Sequence, residues 1–257
     1  RVKIATWNVN SLRAREDLVL DWLEANEPDA LCMQETKVTD QEFPEDGFGD
    51  LDYEVAFHGQ SNYNGVAIAI RGEEPTDVRR GFDGDTDDSD RRVITARVDD
   101  IHLVNIYLPN GQAVDSDKYA YKLEWMKELR AFLDAHFDPK SPVVLCGDFN
   151  IAPSDLDHHW PASDRRRLFT TPEERAAYAH ILDFGFVDAF RALYPDARAY
   201  TWWDYRGRTF QRDEGMRIDH LLITPAVRER LEDVTVDRAM RAAEGPSDHV
   251  PVLLHLA

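Results

Sequence analysis

Cysteine is scarce in this chain: Cys32 and Cys146 are the two thiols in 257 residues. Both fall inside apolar runs, with no Cys-x-x-Cys pair and no spaced framework. A disulfide scaffold and a thiolate zinc site are thereby excluded, and the pair reads as buried free thiols in a reducing compartment, the cytoplasm. Long apolar runs are missing as well. No stretch approaches the roughly 20 residues that cross a bilayer as a helix, so no membrane partner is expected. The chain enters an apolar run at Val2 without a charged-then-apolar leader; no retained signal is expected, and a few native residues are expected to precede Arg1. Walker loop, Gly-x-Ser-x-Gly and His-Glu-x-x-His motifs are absent, which removes support for the hydrolase classes built on them. Repeats, low-complexity tracts and linkers are absent too. Residues 1–257 therefore read as one domain, expected to act as a monomer, with 43% hydrophobic content to fill its core.

Positive charge is in short supply, with 30 Lys and Arg against 49 Asp and Glu, a net −19. Taken alone, that balance argues against a polyanionic ligand. The bases nevertheless cluster where loops are expected, at Arg79-Arg80, Arg91-Arg92, Arg165-Arg166-Arg167 and Arg206 with Arg208. Arg exceeds Lys and Asp exceeds Glu, a bias that fits an acidic surface suited to concentrated salt. Asp83, Asp85 and Asp87 alternate as in a calcium loop, yet Asp88 stands where glycine is required and Ile94 where glutamate is required. Residues 83–90 read instead as a solvated acidic loop.

What is present is a series of well-punctuated elements. Val2–Ala5 and Asp29–Met33 read as strands around a helix in which Leu12, Arg15, Val19, Trp22, Leu23 and Asn26 keep helical spacing, with Ser11 as N-cap and Pro28 as stop. Residues 41–52, rich in Gly, Pro and acids, read as loop, followed by strands at 53–58 and 66–70. Strands at 93–98 and 102–108 flank the hairpin turn Asp99-Asp100. The stripe Tyr119, Leu123, Met126, Leu129, Leu133 and Phe137 predicts a packed helix over 117–137. A strand at 143–148 precedes a long irregular stretch, 151–172, of the kind that tends to carry function. Then come a helix over 172–182, an aromatic run at 200–205, strands at 218–223, 233–237 and 249–256, and a short helix after Pro225. Hairpins among mixed strands point to two packed mixed sheets with helices outside, rather than a doubly wound parallel sheet.

Polar clusters stand at the ends of these strands: Thr6-Trp7-Asn8, Gln34-Glu35, Gly147-Asp148-Phe149-Asn150, Arg217-Ile218-Asp219-His220 and Ser247-Asp248-His249. A sheet brings such ends to one rim. Glu35, with Asn8 and Asp248, offers oxygen ligands for a hard cation, Mg²⁺ or Mn²⁺ rather than zinc; a loop salt bridge or a cap is the alternative for Glu35. Asp148 and Asn150 point to one side of an extended backbone while Phe149 faces the core, and a carboxylate beside an amide can hold and deprotonate water. An Asx turn is the alternative there. Asp219 and His249 supply an Asp–His pair whose imidazole stays protonated and can donate to a phosphate oxygen. The remaining histidines, including His158 and His159, read as structural.

On these residues the chain resembles the exonuclease III family of apurinic/apyrimidinic endonucleases, within the endonuclease/exonuclease/phosphatase superfamily. The resemblance runs from Trp7-Asn8-Val9-Asn10-Ser11-Leu12-Arg13-Ala14 to Ser247-Asp248-His249-Val250-Pro251-Val252. Between them lie Gln34-Glu35-Thr36-Lys37, Tyr63-Asn64-Gly65-Val66-Ala67, Asp90-Arg91-Arg92, Tyr107-Leu108-Pro109-Asn110-Gly111, Gly147-Asp148-Phe149-Asn150-Ile151-Ala152-Pro153, Thr201-Trp202-Trp203-Asp204-Tyr205-Arg206 and Arg217-Ile218-Asp219. Tyr107 stands near a strand end where phosphoinositide and lipid-directed relatives usually carry histidine.

The resemblance implies a four-layer α/β sandwich, two packed mixed β-sheets flanked by helices. It also implies Mg²⁺ dependence, with Mn²⁺ as substitute, and hydrolysis of the phosphodiester 5′ to abasic sites in double-stranded DNA, with 3′-5′ exonuclease or 3′-end trimming. By the same resemblance Glu35 is the main metal ligand, with Asn8 and Asp248 in or near its shell. Asp148 is the general base, Asn150 orients the water, and His249 paired with Asp219 contacts a phosphate oxygen. Tyr107 contacts the phosphate or acts as phenolate, leaving open whether Asp148 or Tyr107 activates the nucleophile. Trp202, Met216 and Ile218 align with an apolar pocket for the flipped sugar, Met216 replacing a tryptophan of some relatives. Lys37, Arg91, Asn110, Gln112, Arg166, Arg206 and Arg208 are the candidate DNA contacts. Two rivals stand beside this reading: a superfamily phosphomonoesterase or phosphodiesterase on non-DNA substrates, and a catalytically silent nucleic-acid-binding regulator.

Overall fold

A computed structural model describes residues 1–164 and 166–257, leaving Arg165 of the arginine triplet outside the described residues. The elements are β1 (Val2–Asn8), α1 (Leu12–Asn26), β2 (Ala30–Gln34), α2 (Glu45–Asp50), β3 (Tyr53–His58), β4 (Val66–Arg71), β5 (Thr76–Arg80), β6 (Val93–Val98) and β7 (Ile101–Tyr107). They continue with α3 (Asp117–His136), β8 (Val143–Asp148), α4 (Pro172–Leu182), β9 (Val187–Asp188), α5 (Ala189–Leu193), β10 (Asp219–Ile223), α6 (Pro225–Arg228), β11 (Leu231–Val236) and β12 (Val252–Leu256).

Among the described residues the strands form two mixed six-stranded sheets, ordered β11-β12-β1-β2-β4-β3 and β5-β6-β7-β8-β10-β9. Each contains one parallel pair at its centre, β1 with β2 and β7 with β8, and antiparallel pairs elsewhere. The sheets face each other across a layer of Ile4, Ala30, Cys32, Ile68, Ile94, Ala96, Leu103, Val144, Cys146, Leu221 and Leu254. Their outer faces are covered by helices. Leu12, Val19, Trp22 and Leu23 of α1 and Phe48 of α2 pack on the first sheet. Trp125, Met126, Leu129 and Leu133 of α3, with Tyr178 and Ile181 of α4, pack on the second. The architecture is the four-layer α/β sandwich expected from the sequence.

Central strands buried on both faces explain why the apolar runs were continuous rather than alternating. Cys32 and Cys146 are both fully buried, unpaired thiols. Among the described residues no helix is long and apolar enough to cross a membrane.

Several local expectations need correction. Residues 41–52 are not all loop: a 3₁₀ turn occupies Asp40–Glu42 and α2 occupies Glu45–Asp50. Gly47 and Gly49 make α2 a poor helix by propensity, and the burial of Phe48 against Phe43 outweighs that cost. Arg79 and Arg80 lie on an edge strand, β5, whose exposed and charged face gave no alternating signal. The two-residue β9 and the short α5 were also unread. The last strand starts at Val252 rather than 249, because Pro251 has no N–H to give to the ladder.

Candidate active site

Register places the chemistry. Tyr107, Asp148 and Asp219 are direct partners across β7, β8 and β10. On the other sheet Asn8 pairs with Gln34, which puts Glu35 one residue beyond the end of β2. The segment before β12 closes the gap between the two rims. Trp7 donates its indole N–H to the His249 carbonyl at 3.2 Å, and the Ser247 hydroxyl donates to the Asn8 carbonyl at 2.6 Å.

Asn8 is the link across the sheets. Its Nδ2 donates to Glu35 Oε1 at 2.8 Å and to Asp148 Oδ2 at 2.9 Å, while its Oδ1 accepts the Asn10 amide at 3.0 Å. As placed, Asn8 orients the carboxylates and presents nitrogen, not the oxygen expected of a metal ligand. Asp148 also accepts the Asn150 backbone N–H at 3.0 Å. That is an Asx turn, and Asn150 adopts φ +49°, so the backbone is not extended through both residues and does not by itself put their side chains on one side. The Asn150 amide is fixed by donating to the Leu108 carbonyl at 2.7 Å. Phe149 is fully buried in the α3-facing core.

His249 donates from Nδ1 to Asp219 Oδ2 at 2.9 Å, which aims Nε2 at Asp148 Oδ2, 3.5 Å away. Burial opposes charge on this imidazole, but Asp219 and Asp148 outweigh it and raise its pKa well above the ordinary value. Burial pushes the Asp148 carboxyl up to about 7, with His249 opposing and Asp219 adding to the rise. Tyr107 sits against Glu35 and Asp148. Burial and those carboxylates raise its phenol well above 10, although Arg92 lies over the ring at 4.9 Å. In this environment the phenol stays protonated more readily and can donate.

One ligand atom each from Glu35, Asp148 and His249 lies within 4.8 Å of the others. The two carboxylates fit a hard divalent cation, with the charged imidazole beside them as a donor rather than a ligand, and Asp219 adds a buried Oδ1 with no hydrogen-bond partner to a neighbourhood already rich in negative charge. Asp248, expected in that shell, lies outside the group; its Oδ2 accepts the Trp202 indole N–H at 3.1 Å. Lys37 Nζ reaches Asn10 Oδ1 at 2.8 Å and Glu35 Oε2 at 3.4 Å.

Beside these groups Trp202, Met216 and Ile218 form a small apolar cluster with Ala152, Trp160 and Phe169. Trp160 and Phe169 come from the irregular 151–172 stretch, whose length was the sole signal for them. Trp203, by contrast, is buried with Tyr200 and Val250. Arg217, between Met216 and Ile218, is also buried. It donates to Asp157 at 2.8 Å and bidentately to Asp188 at 3.1 and 2.7 Å, tying the loop to β10. His220 faces away from the site and hydrogen-bonds the Ile151 carbonyl at 2.8 Å. His158 is buried with its ring stacked on Trp160 at 4.4 Å.

The expected DNA contacts are less uniform. Asn110 and Gln112 form an exposed Asx turn. Arg166 pairs with Asp115 and Glu173, Arg206 with Asp204, and Arg91 Nη1 donates to His58 Nδ1 at 3.2 Å. Arg208 is exposed with φ +55°. A surface cavity of about 1000 Å³ lies elsewhere, between the acidic loop and α3, lined by Phe82, Asp85, Tyr121 and Trp125.

Two packed sheets whose joined rim carries a carboxylate–imidazole group define a phosphoesterase-type α/β sandwich. Residues 5–249 match the Endonuclease/Exonuclease/phosphatase family, and the chain belongs to it. The chain is 36% identical over 263 residues to exodeoxyribonuclease III of Haemophilus influenzae, covering 98% of each. Its fold matches an AP endonuclease from Archaeoglobus fulgidus with TM-score 0.95 and 44% identity, over 100% of this chain and 99% of that one. It matches the 3′ phosphatase NExo from Neisseria, bound to a product DNA hairpin, with TM-score 0.95 and 40% identity over 100% of both chains. Within the family, this chain is a nuclease of the exodeoxyribonuclease III kind.

Proposed function

We propose that this chain is a Mg²⁺-dependent DNA-repair nuclease, with Mn²⁺ as substitute, that hydrolyses the phosphodiester 5′ to abasic sites in duplex DNA and also trims 3′ ends. The observation that carries this reading is the Glu35–Asp148–His249 group beside the apolar cluster of Trp160, Phe169, Trp202, Met216 and Ile218. Extruding a sugar costs a few kcal/mol and costs least where no base is stacked, so a small apolar pocket favours abasic nucleotides. Proteins similar to this one are described as an exodeoxyribonuclease, an AP endonuclease and a 3′ phosphatase, and this spread supports both activities. Cytoplasmic location agrees with the two free thiols.

A bound divalent ion supplies charge neutralisation at the phosphate oxygens and at the departing 3′-oxygen. Glu35 and Asp148 are the residues that would hold it, and His249 faces it as a hydrogen-bond donor. Asp148, raised to about 7, takes the proton of the attacking water, and Asn150 orients that water from a side chain fixed on Leu108. His249, kept charged by Asp219, donates to a non-bridging oxygen; Tyr107 does the same as a neutral phenol. Lys37 is the cation best placed to meet a phosphate, and the loop arginines reach DNA by releasing their surface carboxylates.

The test is a labelled duplex with one tetrahydrofuran site, incubated with Mg²⁺ or with EDTA. A single nick 5′ to the site that requires Mg²⁺ supports the endonuclease reading, and a ladder from the 3′ end supports exonuclease action. An intact but bound strand would convert the reading to a silent DNA-binding protein, and cleavage confined to a phosphomonoester or lipid diester would remove DNA as the substrate.

A further inference from the structure

Helix α3 buries a lysine completely, and the reaction outlined above does not use it. Lys122 has no exposed surface, nor does its partner Glu174. An ammonium in such a place costs several kcal/mol unless every N–H is paired. Nζ donates to the Glu174 carboxylate, to the Asn150 carbonyl at 2.7 Å and to the Asn110 carbonyl at 3.2 Å. These two carbonyls belong to the loops that follow β8 and β7. Both loops are irregular, with Asn150 at φ +49° and Gln112 at φ +56°, so neither carbonyl has a strand neighbour to accept from. Gly111 leaves the room: a Cβ there would meet Lys122 Cδ at 3.0 Å.

Glu174 carries the link further. It completes the capping box of α4, accepting at Oε1 from the Thr171 amide at 3.2 Å and the Thr171 hydroxyl at 2.9 Å. Its Oε2 accepts the Phe169 N–H at 3.1 Å. Phe169 belongs to the apolar cluster, its ring centre is 5.0 Å from Lys122 Nζ, and its carbonyl accepts the Ala152 amide at 3.0 Å. One ion pair therefore touches the loop of Asn110, the loop of Asn150 and the apolar cluster at Phe169.

We propose that Lys122 and Glu174 are positioning residues that couple the pocket wall at Phe169 to the placement of Asn150 and Asn110. The proposal rests on the nuclease reading and deepens it. A sugar that enters the pocket presses on Phe169, and the buried pair passes that contact to the residue that orients water. Stability is a weak reason for such a pair, because apolar residues of similar volume often replace a buried ion pair at no cost.

The variants are K122M and K122M/E174Q. The single change leaves Glu174 buried without its cation and is expected to melt early; the double change removes both charges while the glutamine carbonyl can still accept from Thr171, and it is expected to melt later than the single variant. In the double variant, amide hydrogen exchange over 108–112 and 148–152 should quicken by about tenfold or more. On a duplex with a tetrahydrofuran site, kcat should fall about 10- to 100-fold with KM within about threefold, the size of a small misplacement of reacting groups. A folded double variant with unaltered exchange in both segments, or with kcat within about twofold, would overturn the proposal. If the unaltered protein cut no duplex, the nuclease reading alone would fall, and the exchange measurement would still decide the coupling.

Discussion

Asn8 Nδ2 and Asp148 Oδ2 are 2.9 Å apart although they belong to different sheets and are 140 positions apart in the chain. The same nitrogen also reaches Glu35. Asn8→Asp would put a third carboxylate between two others in a buried place. We expect the cation concentration for half-maximal activity to change by about tenfold or more, since removal or reversal of a ligand's hydrogen-bond partner typically has that effect. Titration of activity with Mg²⁺ reads it, and an unchanged midpoint would remove Asn8 from the metal's surroundings.

Asp148→Asn can keep the Asx turn through its one carbonyl oxygen, but it turns an NH2 toward the Asn8 NH2 and removes the base. We expect kcat to fall at least about 10²-fold with DNA still bound, the size expected of general-base catalysis. Single-turnover cleavage and equilibrium binding separate the two. A near-normal rate would transfer the role away from Asp148.

Asp219 sets the proton on His249. The pKa of His249 is raised in the fold, so its stabilising contribution is complete below its usual value of 6.5 and is lost as pH rises through the raised value. Removing the carboxylate lowers that upper value. In Asp219→Asn the alkaline limb of the rate profile should move to lower pH by about one unit or more, in line with loss of an adjacent opposite charge. An unmoved limb would mean that another group titrates.

Asp188 behaves in the opposite sense. Burial alone would raise its carboxyl, but Arg217 overrides that and holds it well below the usual 3.8. Stability from this group is therefore present above about pH 4, the ordinary carboxylate range, and is lost as pH falls below it. Urea unfolding at pH 7 should show Asp188→Asn less stable by roughly 3–5 kcal/mol, because Arg217 is left partly unpaired. Between pH 4 and pH 3 the gap between the two proteins should narrow; parallel curves would contradict it.

Trp160 closes one side of the apolar cluster, with Arg167 over its ring at 4.1 Å. Trp160→Ala should slow incision at a tetrahydrofuran site about 10-fold or more while sparing removal of nucleotides from a plain 3′ end, because an enlarged pocket discriminates poorly. Equal losses on both substrates would place Trp160 outside lesion selection. A separate measurement concerns the net charge of −19: activity and folding should persist as KCl is raised toward molar levels, where screening relieves self-repulsion.

Much of this was readable before the fold was known, for a definable reason. Strands buried on both faces make unbroken apolar runs, and polar residues at their ends stand out sharply, which is how Glu35, Asp148, Asp219 and His249 were found. Residues whose roles depend on contacts distant in the chain were not legible. Lys122 looked like any polar position between the apolar residues of α3, yet it has no exposed surface. Trp160 and Phe169 lie in a stretch without periodicity. The orientation of the Asn8 amide and the left-handed turn at Asn150 are set by tertiary hydrogen bonds, to which composition and spacing are blind.

Gly147 stands opposite Ile106, one step before the pair Tyr107 and Asp148. It has φ +142°, and a methyl group there would fall 1.9 Å from the Ile106 carbonyl oxygen. Even an alanine would act as a wedge between two neighbouring strands, prying the phenol from the carboxylate just beyond it. The missing side chain thus works as a spacer gauge, and the tolerance of the whole reaction centre is set by a residue that has nothing to react.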